Sequence, residues 1–204
     1  MLSAEGKRLA GAFGLTAHGQ SGVLFGTVRG YSVVVVENTS QRKYYITFPA
    51  RPSQGAPART PGDFLRSFAA GRKDLDGVMA EDYALHIAVR MRGYQKVYQT
   101  FHEVFQAVAG YLEENRFVSC CSHCGETQET GLYTYGTVCR TLCGDCAVKA
   151  ETAYQEAEAK QAQEKSSLPL GLLGAFLGSL LGVAAWVAVY QLGYIAGVVG
   201  LLLV

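Results

Sequence analysis

Apolar and polar positions along the chain follow three successive regimes. Up to about residue 92 they come in short runs or alternate. From Tyr94 to Asn115 apolar residues recur at every third or fourth position, and from Leu168 onward no charged residue occurs at all. In the first regime, Val23-Leu24-Phe25, Tyr31 to Val36 and Tyr44 to Phe48 are β-branched and aromatic runs. Breaks at Arg29-Gly30 and at Glu37-Asn38-Thr39-Ser40 turn them into a predicted three-stranded meander. Val33 to Val36 is apolar on both faces, so the middle strand should be covered by a helix on one side and by more chain on the other. Tyr83 to Met91 alternates, with Leu85, Ile87, Val89 and Met91 on one face and His86, Arg90 and Arg92 on the other, which predicts a fourth strand with His86 facing solvent. Tyr94 to Asn115 then sets Val97, Phe101, Val104, Phe105, Val108 and Leu112 at helical spacing, a long amphipathic helix packed across the sheet.

Shorter signals fill in the rest of this region. Leu2, Leu9 and Phe13 fall near one side of a short N-terminal helix that Gly6, Gly11 and Gly14 weaken. Thr60-Pro61-Gly62-Asp63 reads as a helix start, with Thr60 as N-cap, Pro61 at the first helical position and Asp63 at the positive end of the dipole; Gly71 stops this helix. Between Pro49 and Pro61 lie four of the chain's five prolines, so this segment reads as a loop.

The last regime reads as membrane. An unbroken helix over residues 168–204 would be about 55 Å long, whereas the hydrocarbon core of a bilayer is about 30 Å thick. We expect a span over residues 170–190, a turn near Gln191-Leu192-Gly193-Tyr194, and the start of a second span that Val204 cuts short, as in a fragment. A single span over about the last twenty residues, with Leu168 to Gly178 lying at the interface, is the alternative. Gly174, Gly178 and Gly182 repeat every fourth residue, a stripe that suits either an oligomer seam or packing within one subunit. Ahead of the tail, Ala147 to Ser167 is rich in Ala, Glu, Gln and Lys, a helix former with no face to bury.

Between these regimes lies CCSHCGETQETGLYTYGTVCRTLCGDC, residues 120–146. Cys121 and Cys124 form one CxxC, Cys143 and Cys146 another, and the interval suits a short hairpin. This is the spacing of a four-thiolate zinc site, with the metal in a structural role. Cys120, Cys139 and His123 are spare ligands, so a Cys3His set or a swapped register stays open. Adjacent cysteines point different ways, however, and Cys120 and Cys139 fit better as buried small hydrophobes than as ligands.

The segment Cys121 to Cys146 resembles a zinc ribbon. The order of α+β domain, ribbon, Ala/Glu stalk and glycine-rich tail around Trp186, Tyr190 and Gln191 is similar to a group of uncharacterised bacterial membrane proteins, to which no activity is assigned. Similar tails continue beyond the length of this one. The expected architecture is an α+β domain (1–118) with an about four-stranded, mostly antiparallel sheet and a long amphipathic helix. It continues as a zinc ribbon (119–147), a helical stalk (148–167) and a transmembrane helix or truncated helical hairpin (168–204).

Charge and motif content narrow the function. The net +1 conceals 14 Lys+Arg against 10 Asp+Glu up to Val118, and 4 against 7 beyond it. The N-terminus has no long apolar core ending in a cleavage site, which fits a reducing cytoplasm and the inner membrane, with the N-terminal domain and ribbon on the cytoplasmic side. Nucleic acid is disfavoured: the hairpin offers Tyr133, Tyr135 and Arg140 against Glu126, Glu129 and Asp145. His18 and Ser21 lack the spacing of a nucleophile elbow, and neither a P-loop nor a dinucleotide fingerprint is present, so no catalytic or cofactor-binding residue is assigned beyond the metal ligands. The reading is a non-enzymatic binding or scaffolding module at the inner membrane face, with a protein partner. An anionic-lipid contact through Arg66, Arg72, Lys73, Arg90, Arg92 and Lys96 would add to it. The alternatives are a zinc or thiol sensor using Cys120 and Cys139, and an enzyme with an unrecognised site on the α+β domain.

Overall fold

The computed structural model describes residues 2–18, 22–55, 57, 59–135, 138–163 and 168–202. Helix α1 (Ala4–Phe13) forms despite its glycines because both ends are satisfied: Ser3 Oγ accepts from Gly6 N–H, and Gly14, at φ 64°, closes the helix by donating to Ala10 O. A β-carbon at Gly6 would stand 2.8 Å from Glu37 Oε2 and 3.0 Å from the Leu2 side chain, so those side chains would have to shift to admit one.

Strands β1 (Thr16–His18), β2 (Val23–Val28), β3 (Tyr31–Asn38) and β4 (Lys43–Pro52) follow. The expected meander is β2 to β4. Its first turn has Arg29 and Gly30 both at positive φ (50° and 85°), the twist-matched two-residue hairpin geometry. Helix α2 (Pro61–Ala69) starts as the sequence predicts, with Thr60 Oγ1 accepting from Asp63 N–H at 3.1 Å. Then come β5 (Leu75–Glu81), β6 (Ala84–Arg90), α3 (Tyr94–Glu114) and β7 (Phe117–Ser119). The sheet order is β1-β2-β3-β4-β6-β5 with β7 on β4, and every pairing is antiparallel.

Two expectations about the sheet strands need correcting. Among the described residues the sheet has seven strands rather than about four. The chain from Pro49 to Pro52 is strand rather than loop, because β4 leaves β3 there and uses groups proline keeps: Pro49 pairs with Ala84, and its carbonyl accepts from Cys120 N–H at 3.3 Å.

The long helix behaves as its periodicity requires. Val97, Phe101, Val104, Val108 and Leu112 are all within 1% of full burial and pack on Val33, Val35, Ile46, Phe48, Leu85, Ile87 and Val89 from the sheet. Phe101 meets Tyr44 edge-on at 5.3 Å, and Phe105 meets Phe48 at 5.9 Å. Fully burying one such side chain is worth roughly 1.5–3 kcal/mol, so this stripe contributes strongly to holding α3 on the sheet.

The remaining elements are the hairpin β8 (Thr130–Tyr135) and β9 (Val138–Cys143), α4 (Gly144–Gln163) and α5 (Leu168–Leu202). On the sheet face away from α3, Val34 and Thr47 share a cleft with Thr141 of β9, so β3 is covered on both sides. The chain divides into one compact unit through Gln155 and a second from Glu156. The exposed Ala/Glu helix is continuous with α4 as far as the described residues extend; 164–167 of the expected stalk lie outside them.

Helix α5 overturns the expected hairpin. It runs without a turn through Gln191-Leu192-Gly193-Tyr194, since a single glycine with no proline leaves the ladder of backbone hydrogen bonds intact. Its segment Gly171–Gln191 has mean hydropathy 2.2 and is long and apolar enough to cross a membrane. Trp186 and Tyr190 stack at 5.6 Å on its surface. Apart from the helix's own backbone, no atom of the described residues lies within 4 Å of where a β-carbon would stand at Gly174, Gly178 or Gly182.

Candidate metal centre

The first CxxC is a tight turn that follows β7. Cys121 N–H donates to Glu126 O at 2.8 Å, and Gly125 N–H closes back on Cys121 O at 2.9 Å. Gly125 sits at φ 74°, in the left-handed region where glycine carries no side-chain penalty. Ser122 fastens this turn to β9, since its N–H and its hydroxyl both donate to Thr141 O, at 3.0 and 2.9 Å. The second CxxC is a strand-to-helix junction rather than a turn. Cys143 is the last residue of β9 and Cys146 stands in the first turn of α4.

These supports bring the four sulfurs of Cys121, Cys124, Cys143 and Cys146 within 4.8 Å of one another. Cys124 and Cys143 are 3.7 Å apart, sulfur to sulfur. A tetrahedron with metal–sulfur bonds of about 2.3 Å has edges of about 3.8 Å, whereas a disulfide would need about 2.05 Å. The four side chains can therefore hold a metal ion. Cys121, Cys143 and Cys146 are buried, Cys124 is half-buried, and Leu142, Ala147 and Tyr133 pack around them.

The electrostatics match that geometry. Burial alone would push the Cys121 thiol up, but the backbone N–H groups of Cys124, Cys143 and His123 hold it down at about 7. Cys146 goes the other way, driven up by burial and by the thiols of Cys124, Cys143 and Cys121. Cys124 also rises: the Glu126 backbone draws it down, but burial and the thiols of Cys121 and Cys143 outweigh that. Four adjacent thiols cannot all ionise by themselves, and a divalent cation removes the conflict. The positive end of α4 adds in the same sense at Cys146.

Cys120 and Cys139 stand outside this group. Cys120 is 1% exposed, its sulfur lies 3.8 Å from Tyr83 O, and burial pushes its thiol up to about 11. Cys139 is also raised by burial, with Thr134 donating toward it at 3.9 Å. His123 is not among the clustered ligands.

Sequence reasoning missed two features nearby. The ring of Tyr83 lies against Gly125, a contact between residues far apart in sequence that leaves no local signal. His86 is half-buried rather than solvent-facing, with Nδ1 3.0 Å from Thr47 Oγ1 and Nε2 3.4 Å from Glu81, because the hairpin covers that face of the sheet. No family model, curated protein or solved structure matches the chain.

Proposed function

We propose that the chain is a membrane-anchored, non-enzymatic zinc-ribbon protein, a binding or scaffolding module at the inner membrane face with its N-terminal portion in the cytoplasm. The observation that supports this best is the four-sulfur cluster. A four-thiolate set fills every position of a tetrahedral ion and leaves none open for a substrate, which is the signature of a structural site. Zinc held by Cys121, Cys124, Cys143 and Cys146 then serves as a rigid joint. One side is tied to the sheet where Tyr83 lies against Gly125 and where Cys120 N–H donates to Pro49 O, and the other continues directly into α4.

On this reading the division is α+β domain 1–118, ribbon 119–147, stalk 148–167 and membrane segment 168–204, with the segment Gly171–Gln191 as the anchor. The glycine stripe of Gly174, Gly178 and Gly182 offers a seam for a second copy, and the sheet domain presents the surface for a protein partner. The raised thiols of Cys120 and Cys139 weigh against a sensor built on them.

The test is to purify the full chain from the membrane fraction under reducing conditions and measure metal and free thiols together. About one zinc per chain is expected, with four thiols protected from a thiol reagent until a chelator is added. A metal-free chain recovered in the soluble fraction, with all thiols reactive, would overturn the proposal.

A further inference from the structure

Where the loop after α2, the β6–α3 junction and the first turns of α3 meet, the surface forms an open groove of about 570 Å³. That is within the roughly 300–1,000 Å³ typical of small-molecule sites. Five cations reach its wall: Arg72, Lys73, Arg90, Arg92 and Lys96. Two of them are engaged. Arg72 binds Asp74 at 2.6 Å and Glu103 at 2.7 Å, and Arg90 binds Asp76 at 2.7 Å, a carboxylate that Lys43 also pairs with. Thr100 donates a further hydrogen bond to Asp74 at 3.1 Å. The acids lining the groove, Asp74 and Glu103, are therefore already compensated.

Lys73, Arg92 and Lys96 are different. All three are exposed, and among the described residues none of them has an ion-pair partner. They come from three places, the α2–β5 loop, the β6–α3 junction and the first turn of α3, yet line one concavity. Helix α3 adds to the same sign of field. Its N-cap, Gly93, offers no side-chain acceptor, so the positive end of a 21-residue helix stands beside Arg92 and Lys96 without a capping side chain. Unpaired cations at a surface repel one another and gain from an anion shared between them.

We propose that this groove binds a small phosphate-bearing anion. Lys73, Arg92 and Lys96 supply charge-assisted donors, and the paired Arg72 and Arg90 form a wall fixed in place by their carboxylates. Being open on one side, the groove accepts either a soluble phosphate or the phosphate of a lipid headgroup with its remainder outside. The inference is independent of the metal and of the membrane anchor.

Calorimetric titration of the detergent-solubilised full chain tests it, with inorganic pyrophosphate as one probe. Glycerophosphoglycerol, compared with glycerophosphocholine, is the other. Saturable binding of pyrophosphate is expected, weakened by added salt and lost by about tenfold or more in K73Q/R92Q/K96Q. The control K149Q/K160Q, which removes as many exposed cations as it can from α4, should bind like wild type. The single exchange R92Q, at an exposed junction, should give a smaller loss in the same direction and stands in if the triple variant fails to fold. Binding of glycerophosphoglycerol but not glycerophosphocholine, with the same dependence on the three residues, would assign the groove to an anionic headgroup. Pyrophosphate binding alone would assign it to a free phosphate. Saturable binding of neither, or equal affinity in wild type and in the lysine and arginine variants, overturns the proposal.

Discussion

Gly125 has no room for a side chain because Tyr83 occupies the space: a β-carbon at position 125 would stand 2.5 Å from Tyr83 Cε1. Tyr83 lies in the turn between β5 and β6, and its carbonyl accepts from Ala50 N–H at 3.0 Å and faces the Cys120 sulfur at 3.8 Å. One residue of the sheet thus fixes the position of the first cysteine turn. Gly125→Ala meets two penalties, about 1–2 kcal/mol for the left-handed backbone and about 1–3 kcal/mol for overpacking against the ring. We expect it to lower the thermal midpoint and loosen metal retention. Adding Tyr83→Ala should relieve the packing part and leave the backbone part. A Gly125→Ala protein that melts and holds metal like wild type would show that the turn is not constrained as described.

The six cysteines should fall into two classes. Serine at Cys121, Cys124, Cys143 or Cys146 leaves three thiolates for the ion, and metal content should drop well below one per chain. Serine at Cys120 or Cys139 should leave it unchanged, since neither sulfur belongs to the cluster. Chelation should expose the amides of β8 and β9 to hydrogen exchange, while those of β3, β4 and β6 stay protected. The cluster around Cys121, Leu142 and Cys146 is a hydrophobic core separate from the one beneath α3. Equal metal loss from the Cys120 and Cys124 variants would contradict the assignment.

What could be read in advance follows from how local each signal is. Thr60, Pro61 and Asp63 specify the start of α2 within one turn of chain, and α3 carries its own stripe from Val97 to Leu112. The two CxxC spacings likewise announced the cysteine cluster. Strand β5 could not be read: Leu75–Glu81 contains Asp76, Gly77 and Glu81, has a bulge between Leu75 and Gly77, and becomes strand because β6 offers it a register. The three-residue strands β1 and β7 have the same origin in pairing rather than pattern. The run through Pro49 and Pro52 looked like loop because proline removes a donor, and only the tertiary arrangement shows that the donor is not needed there. At the cluster, the contact from Tyr83 and the Ser122 bonds to Thr141 are long-range and have no counterpart in spacing.

Alkaline pH should single out Tyr44. It is fully buried, and its single hydroxyl proton is shared between Glu37 Oε1 at 3.2 Å and Glu5 Oε1 at 3.3 Å. Burial first, and then the Glu37 and Glu5 charges, raise its phenol above the ordinary value of 10.0. The unfolded chain therefore loses its proton before the folded one as pH rises. The stability associated with the raised value is fully present below pH 10 and is lost progressively above it. Tyr44→Phe should cost about 1 kcal/mol at pH 8, the usual net value of a hydrogen bond. Its deficit relative to wild type should shrink as pH passes 10. Urea titrations of both proteins at pH 8 and pH 11 measure this; a gap that stays constant would mean that Tyr44 ionises as readily in the folded protein as in the unfolded chain.

The proposed anchor can be tested at the centre of its apolar window. Leu181 is 72% exposed on α5, near the middle of Gly171–Gln191. Arginine there places a charge at mid-bilayer, which costs about 2.5–3.5 kcal/mol on insertion scales, against a gain of about 0.3–0.6 kcal/mol for leucine. The difference is enough to shift a marginal helix out of the membrane, whereas Leu181→Ala should leave it inserted. We expect wild type and Leu181→Ala to resist carbonate extraction and a substantial share of Leu181→Arg to be released, with the metal content of the released chain unchanged because the cysteine cluster does not involve α5. Protease added to intact cells should leave the N-terminal portion uncut if it faces the cytoplasm, and digestion from outside would reverse that orientation. Wild-type chain that washes off with carbonate as readily as Leu181→Arg would mean that α5 is not an anchor, and the scaffold reading would lose its location while the metal site would stand.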